Sequence, residues 1–343
     1  MKKILLMLMV VVLVASLGAC AQPGGGGAAG APAAPGTPAT AADGQDTIIL
    51  TFGHVLAPEH PYHLGALRFK EILEATSPVP VEVQIFHSAQ LGSERDMTEG
   101  LQLGTLDMVI APGTIVLFEP RMGVLYLPHI FDDEAHAHRV LDGEIGDYLA
   151  QTLPDNGLRL LAYWENGFRN VTNNLRPVYT PDDIIGMRLR VPENPIYQAI
   201  FEHFGASVAT IPFAEVYAAL QQGVVDAQEN PLAIILTSRF YEVQNYLSLT
   251  AHVYGPAQVL ISEARWQSFT PELQDAIKAA AIEARTYQRQ ALATMRDEAL
   301  IYLADHITIN EINREAFSAA GAEIWELYRE DFGDLIDRIR AYA

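Results

Sequence analysis

Two groups of side chains in this 343-residue chain have the types and spacing to do chemistry. One is a histidine set: His54, His60 and His63, with Glu59 beside them. Imidazoles next to a carboxylate are zinc ligands, and residues three apart share a helical face. Pro61 stands between His60 and His63, however, no second pair at ligand spacing follows, and HExxH is absent. Pocket-lining or helix-capping roles therefore fit these histidines better, and no metal is expected. His136 and His138, flanked by acids, read as solvated surface. The other group is cationic. Arg169 follows Trp164, Glu165, Asn166, Gly167 and Phe168, a Gly-hinged aromatic loop, and Arg188 and Arg190 share one face of a strand that stops at Pro192. A planar guanidinium grips a carboxylate through two parallel hydrogen bonds, fixing position and orientation together. Pairing with surface acids is the competing account, and spacing does not choose between Arg188 and Arg190.

Nothing in the chain points to a reaction. It has no G-x-S-x-G elbow and no P-loop, and its acids are scattered. Carboxylate pairs assemble in space rather than in sequence, so a secreted metal-dependent enzyme built on the His54 region stands as the second reading. No cofactor is expected. Lys and Arg total 22 against 42 Asp and Glu, a net charge of −20, and a surface of that sign repels phosphate backbones, so nucleic acid is not an expected partner.

The elements that must position these residues alternate. Ile48–Phe52, Val81–Phe86, Leu106–Ala111 and Leu158–Tyr163 read as strands, while Pro61–Ala75 and the stretch from Ser93, a candidate N-cap, to Leu103 carry helical spacing. A second set follows Phe168. Met187–Val191 is a strand with one apolar and one basic face, Asn194 and Pro195 open a helix that Gly205 stops, Pro212–Gln222 is another helix, and Val224–Gln228 another strand. The pattern predicts two successive α/β units with a mostly parallel sheet. From Pro271 a helix runs without Gly or Pro to about Asp305; one continuous rod would be roughly 50 Å long, enough to brace both units, and two helices with a break are the alternative. A strand-like segment and a last helix from about Arg314 complete the chain.

The front end reads as an address. Lys2 and Lys3 precede an apolar run, Ile4–Leu17, followed by Gly18, Ala19 and Cys20, which is the order of a secretory signal peptide and resembles the bacterial lipobox. Residues 1–19 are thus expected to be removed, leaving Cys20, the only cysteine, lipidated and holding the protein to the membrane outside the cytoplasm. Losing Lys2 and Lys3 takes the net charge from −20 to −22, so an anionic ligand has to be held by a few fixed cations. Residues 20–46 form the anchor and a Gly/Ala/Pro/Thr spacer. Gly25, Gly27 and Gly30 match G-x-G-x-x-G, but no strand precedes them and Pro32, Pro35 and Pro38 break any helix beyond, so the dinucleotide fingerprint fails on context.

Three stretches carry a family resemblance: Glu165–Pro177 (ENGFRNVTNNLRP), Gly186–Pro192 (GMRLRVP), and Gly205–Pro231 with PFAEVYAALQQGVVDAQENP. Across the body from Ile49 the chain resembles the extracytoplasmic solute-binding proteins of TRAP transporters, the DctP-like family. The resemblance implies an α/β, two-lobed periplasmic-binding-protein-like fold with a hinge and a long helix spanning both lobes. Lobe I would be 47–166 plus about 255–295, and lobe II 167–254 plus about 296–343. It implies a small organic acid bound in the cleft and delivered to TRAP membrane subunits, with no catalysis. It chooses Arg190, the arginine of the RVP motif, as the salt-bridge partner of the ligand carboxylate. Arg169 becomes a second carboxylate contact, Asn230 of QENP a polar contact, and Phe213 a ring packed on the ligand, unless Phe213 is ordinary core. His54 in the first strand-end loop follows as a further polar contact, and Trp164 and Tyr217 as weaker candidates of the same kind. Ala227 stands where many members have Gly, and Ala111–Ile115 lacks the acid and arginine of the sialic-acid branch, so a smaller or more apolar acid is expected. A binding protein of another transporter class would share the cleft with a different ligand.

Overall fold

The structure, a computed structural model, describes residues 46–342; the expected signal peptide, the expected anchor at Cys20 and the expected spacer lie outside the described residues. Among the described residues, the ten strands are β1 (Ile48–Gly53), β2 (Val81–Phe86), β3 (Met108–Ile110), β4 (Leu158–Asn173), β5 (Arg188–Val191), β6 (Ser207–Thr210), β7 (Ala227–Pro231), β8 (Tyr246–Ser248), β9 (Tyr254–Ser262) and β10 (Thr308–Asn310). The spatial order is β2-β1-β3-β9-β4-β7-β5-β6, with β8 added to β4 and β10 to β8. The expected mostly parallel sheet is instead mixed. β1 pairs in parallel with β2 and β3, β5 with β6 and β7, and β8 with β10, whereas every pairing of β4 and β9 is antiparallel.

That departure makes the two-lobed architecture. β4 is 16 residues long, far more than Leu158–Tyr163 alone would give, because it belongs to both lobes. Over Leu158–Phe168 it pairs with β9, and over Arg169–Asn173 with β7 and β8. Register shifts at Leu160/Ala162 and Glu165/Gly167 break the ladder just before the exchange. Such bulges bend a strand and add twist. Gly167 sits there with φ +98°, a backbone that an L side chain rarely adopts.

The long helix is continuous, Pro271–Ala304, with Thr270 as N-cap accepting from the Leu273 amide. At 1.5 Å per residue it spans about 50 Å. It packs on the helix Pro61–Thr76 and on β4 in one lobe and on the helix Leu232–Thr237 in the other. Its approach to the first is close: a Cβ on Gly65 would come within 2.6 Å of the Trp164 ring and 2.9 Å of Gln288. Gln288, fully buried, clamps the crossover strand, accepting from the Glu165 amide at 2.9 Å and donating to the Glu165 carbonyl at 2.7 Å. Replacing it by Leu strands two buried backbone groups at about 1–3 kcal/mol each. Gln288→Leu is therefore expected to lower the unfolding free energy by about 2–6 kcal/mol in a urea titration, and an unchanged midpoint would refute the clamp.

The C-terminal helices touch both halves. Phe317 packs edge-on to Phe204, and Trp325 donates to the Pro128 carbonyl at 2.8 Å. His136, read from sequence as solvated, is buried instead, 2.9 Å from the Ile339 carbonyl and accepting from the Asp132 amide. The flanking acids misled because they face solvent while the imidazole turns beneath the last helix. His138 is half-buried, 2.9 Å from Glu165.

Candidate functional site

A cavity partly open to solvent lies between the lobes where strand ends meet helix starts. Its walls come from both sides. Glu94 and Thr114 lie before the β4 crossover, and Arg169, Arg190 and Asn230 after it. Ser93 caps the helix Glu94–Gln102 in a reciprocal box with Asp96, which fixes Glu94 as the first helical residue at the cleft. Across the mouth, Asn194 donates to the Gly113 carbonyl at 3.0 Å and Arg95 stands 3.7 Å from Glu193.

Arg190 and Arg188 alternate on β5 but meet different fates. Arg188 is exposed and bidentate to Asp226, with contacts of 2.9 and 2.5 Å, and is surface-paired. Arg190 is 2 % exposed and faces the cavity. Its Nε and Nη2 both donate to one carbonyl, that of Ile211, at 2.8 and 2.6 Å, and among the described residues it makes no ion pair. Burial pushes its pKa down to about 10, with Arg169 adding to that and Glu229 and Glu94 opposing it, so it stays charged at neutral pH. A buried, charged and unmatched guanidinium is costly unless an anion completes it.

Arg169 is also buried on the cavity wall but already holds an acid. Its guanidinium grips Glu229 in bidentate fashion through Nε and Nη2, and Nη2 also reaches the Glu229 carbonyl (2.7 Å) and Asn230 Oδ1 (3.1 Å). It lies 5.0 Å from the centroid of the Tyr197 ring. Burial lowers its pKa, yet the neighbouring Glu229 outweighs this and the net shift is upward. Burial likewise pushes the Glu229 carboxyl up, but the Arg169 charge and the hydrogen bonds from His252 and Arg169 hold it below the ordinary range. Asn230 uses both ends of its amide inside the protein, accepting from Arg169 and donating to Gln228 Oε1 at 2.6 Å. Phe213 lines the cavity, half-buried, 6.1 Å from the Phe240 ring.

Three expected contacts are elsewhere and need correction. His54 is fully buried off the cavity, its Nε2 3.2 Å from His63 Nδ1; burial first, then His63 and His87, push its pKa down to about 3, and Leu56 of the same loop takes the place on the wall. Trp164 is a core side chain whose Nε1 donates to the Ala281 carbonyl, because its ring is needed between β4 and the long helix. Tyr217 is on the outer side of its helix, donating to Glu242 at 3.0 Å. His60 caps the helix Pro61–Thr76, accepting from the Tyr62 amide. Among the described residues no group of three or more His, Cys, Asp or Glu is gathered to hold a metal ion.

Sequence reasoning passed over Glu94, Tyr62, Thr114 and Tyr197 on the wall, and Glu229 behind it. Glu94 carried a usable signal, a residue directly after an N-cap at a strand-to-helix turn, and Glu229 adjoins Asn230 in sequence. Burial pushes the Glu94 carboxyl up to about 7, helped by Glu193 and against the pull of Arg190 and Arg169. Tyr62, Tyr126 and Tyr197 stand close enough to feel its charge.

A cleft between lobes that share a crossover strand, lined by buried guanidinium groups, defines a hinged receptor for small anions. Residues 52–331 match the family model of the bacterial extracellular solute-binding proteins, family 7 (DctP). The chain belongs to this family of TRAP transporter solute-binding proteins. It is 36% identical over 296 residues to the 2,3-diketo-L-gulonate-binding periplasmic protein of Escherichia coli, covering 85% of this chain and 90% of the relative. Among solved structures it is similar to a sugar acid binding protein from Advenella mimigardefordensis in complex with galactonate, at 34% identity and TM-score 0.83, covering 87% of this chain and 100% of that one. It is also similar to a TRAP periplasmic solute binding protein from Sulfurospirillum deleyianum with bound succinate, at 31% identity and TM-score 0.82, covering 86% and 99%. None of the described helices is long and apolar enough to cross a membrane.

Proposed function

We propose that this protein captures a small organic carboxylate outside the cytoplasm and presents it to TRAP membrane subunits, acting by binding and lobe closure without catalysis. The observation that carries this reading is Arg190, a buried cation on the interlobe cavity whose only hydrogen-bond acceptor among the described residues is the Ile211 carbonyl. A ligand carboxylate supplies the missing charge and accepts the guanidinium's remaining hydrogens. Arg169, locked by Glu229, adds positive potential at a fixed place, and Phe213 covers the apolar part of the acid. Ligand contacts to both lobes hold the closed form, a hinge transition at β4 and β9. We take lobe I as 47–166 plus about 255–295 and lobe II as 167–254 plus about 296–343, with the C-terminal helices strapping the two. Export through the signal peptide of residues 1–19 and lipid attachment at Cys20 complete the reading, keeping the receptor beside its transporter.

A thermal-shift screen against mono- and dicarboxylates tests it. A ligand that binds only the native form stabilises by about 2.7 kcal/mol at a hundredfold excess over Kd. At least one small carboxylate should raise the melting temperature by several degrees, and its amide should not. A panel in which no acid shifts melting would end the proposal.

A further inference from the structure

The cavity that holds Arg190 also presents polar atoms that nothing satisfies. Tyr62 Oη, Thr114 Oγ1 and Asn166 Oδ1 are buried without a hydrogen-bond partner, and all three residues line this wall. Tyr62, Thr114 and Asn166 are each more than nine-tenths buried. The Glu94 carboxyl joins them and, among the described residues, takes part in no ion pair. Orphaned buried polar groups are rare in folded proteins, and several on one cavity wall mark places that a bound molecule fills. Asn166 Oδ1 and an ionised Glu94 only accept, while the two hydroxyls either donate or accept. The wall therefore needs a ligand with one acid group for Arg190 and several hydroxyl donors along its chain. An ionised dicarboxylate brings acceptors only, and its second carboxylate would meet Glu94 and Glu193.

We propose that the ligand is a polyhydroxylated monocarboxylic acid and that Glu94 is the residue that selects it over dicarboxylates, by accepting hydrogen bonds from ligand hydroxyls. This rests on the carboxylate-binding reading above and narrows it. Selectivity of this kind works through the wrong ligand as much as the right one, since a dicarboxylate leaves the acceptors unmet and adds like-charge repulsion.

Calorimetric titration of the purified protein at about pH 8, where Glu94 is ionised, decides the matter with two length-matched sets: erythronate, butyrate and succinate, then galactonate, hexanoate and adipate. In at least one set the hydroxy acid should bind at least about tenfold more tightly than both partners. Glu94→Gln should weaken the hydroxy acid and strengthen the dicarboxylate, shrinking that ratio about tenfold or more. Thr114→Val, which removes a neutral hydroxyl, should weaken the hydroxy acid without admitting the dicarboxylate. A wild-type protein that prefers the dicarboxylate overturns this inference while leaving carboxylate capture intact, as does a ratio untouched by Glu94→Gln. Binding of none of the six acids overturns both.

Discussion

Arg190→Met is expected to weaken the best binder of the carboxylate panel by at least ~30-fold while leaving the ligand-free protein as stable as before. Removing one partner of a buried hydrogen-bonded charge pair costs about 2–5 kcal/mol, much of it the penalty of burying the remaining charge alone. At 1.4 kcal/mol per tenfold this is a loss of ~30-fold to several thousandfold. The stability half follows from the partners Arg190 has within the protein. Its guanidinium is buried against the Ile211 carbonyl with no ion pair among the described residues. Replacing such a charge by an apolar chain of similar length is commonly neutral or stabilising. Titration calorimetry and a denaturant midpoint without ligand check the two halves separately. Retained affinity would remove Arg190 from the site, and lost affinity accompanied by lost stability would make it a structural residue.

Glu229→Gln should do the reverse, lowering apo stability by about 3–5 kcal/mol, because it leaves Arg169 buried without its counter-charge and next to a second buried cation. The effect has a pH signature. Glu229 is held below the ordinary carboxylate range of about 4.5 by Arg169 and His252 against the upward push of burial. A carboxylate with a depressed folded pKa contributes stability that is present above its unfolded pKa and lost as pH falls through the folded one. The gap between wild type and Glu229→Gln should therefore be full at neutral pH and close on acidification below about pH 4.5. Guanidinium titrations at several pH values measure it. Arg188→Ala provides the contrast, since that exposed pair with Asp226 is screened by water and contributes little to stability. Equal losses in the two variants would show that burial does not govern the Arg169 pair.

Local structure was legible where local physics fixes it. Ser93, Asn194 and Thr270 cap the helices their positions announced, since an N-cap needs only its own side chain and the next amides. The strand β2 and the helix from Pro61 fall where periodicity put them. β4 did not, because its second half is strand only through pairing with β7 and β8, which are remote in sequence. The Pro212–Gln222 helix opens as a 3₁₀ turn at Phe213–Glu215, and β7 begins at Ala227, three residues later than Val224, which is why Asn230 is inside a strand.

By itself the sequence determined the α/β alternation, a long helical stretch from Pro271, the overall negative charge and the three motif stretches that carry the family. These are properties of periodicity, capping and composition, each decided within a few residues. Only the tertiary structure decided which arginine is free. Arg188, Arg190 and Arg169 are equal as letters, but Asp226 neutralises the first at the surface, Glu229 the last in the interior, and Arg190 alone of the three makes no ion pair among the described residues on a wall shared with unsatisfied oxygens. Charge pairing and burial depend on partners tens of residues apart, and only folding brings those together.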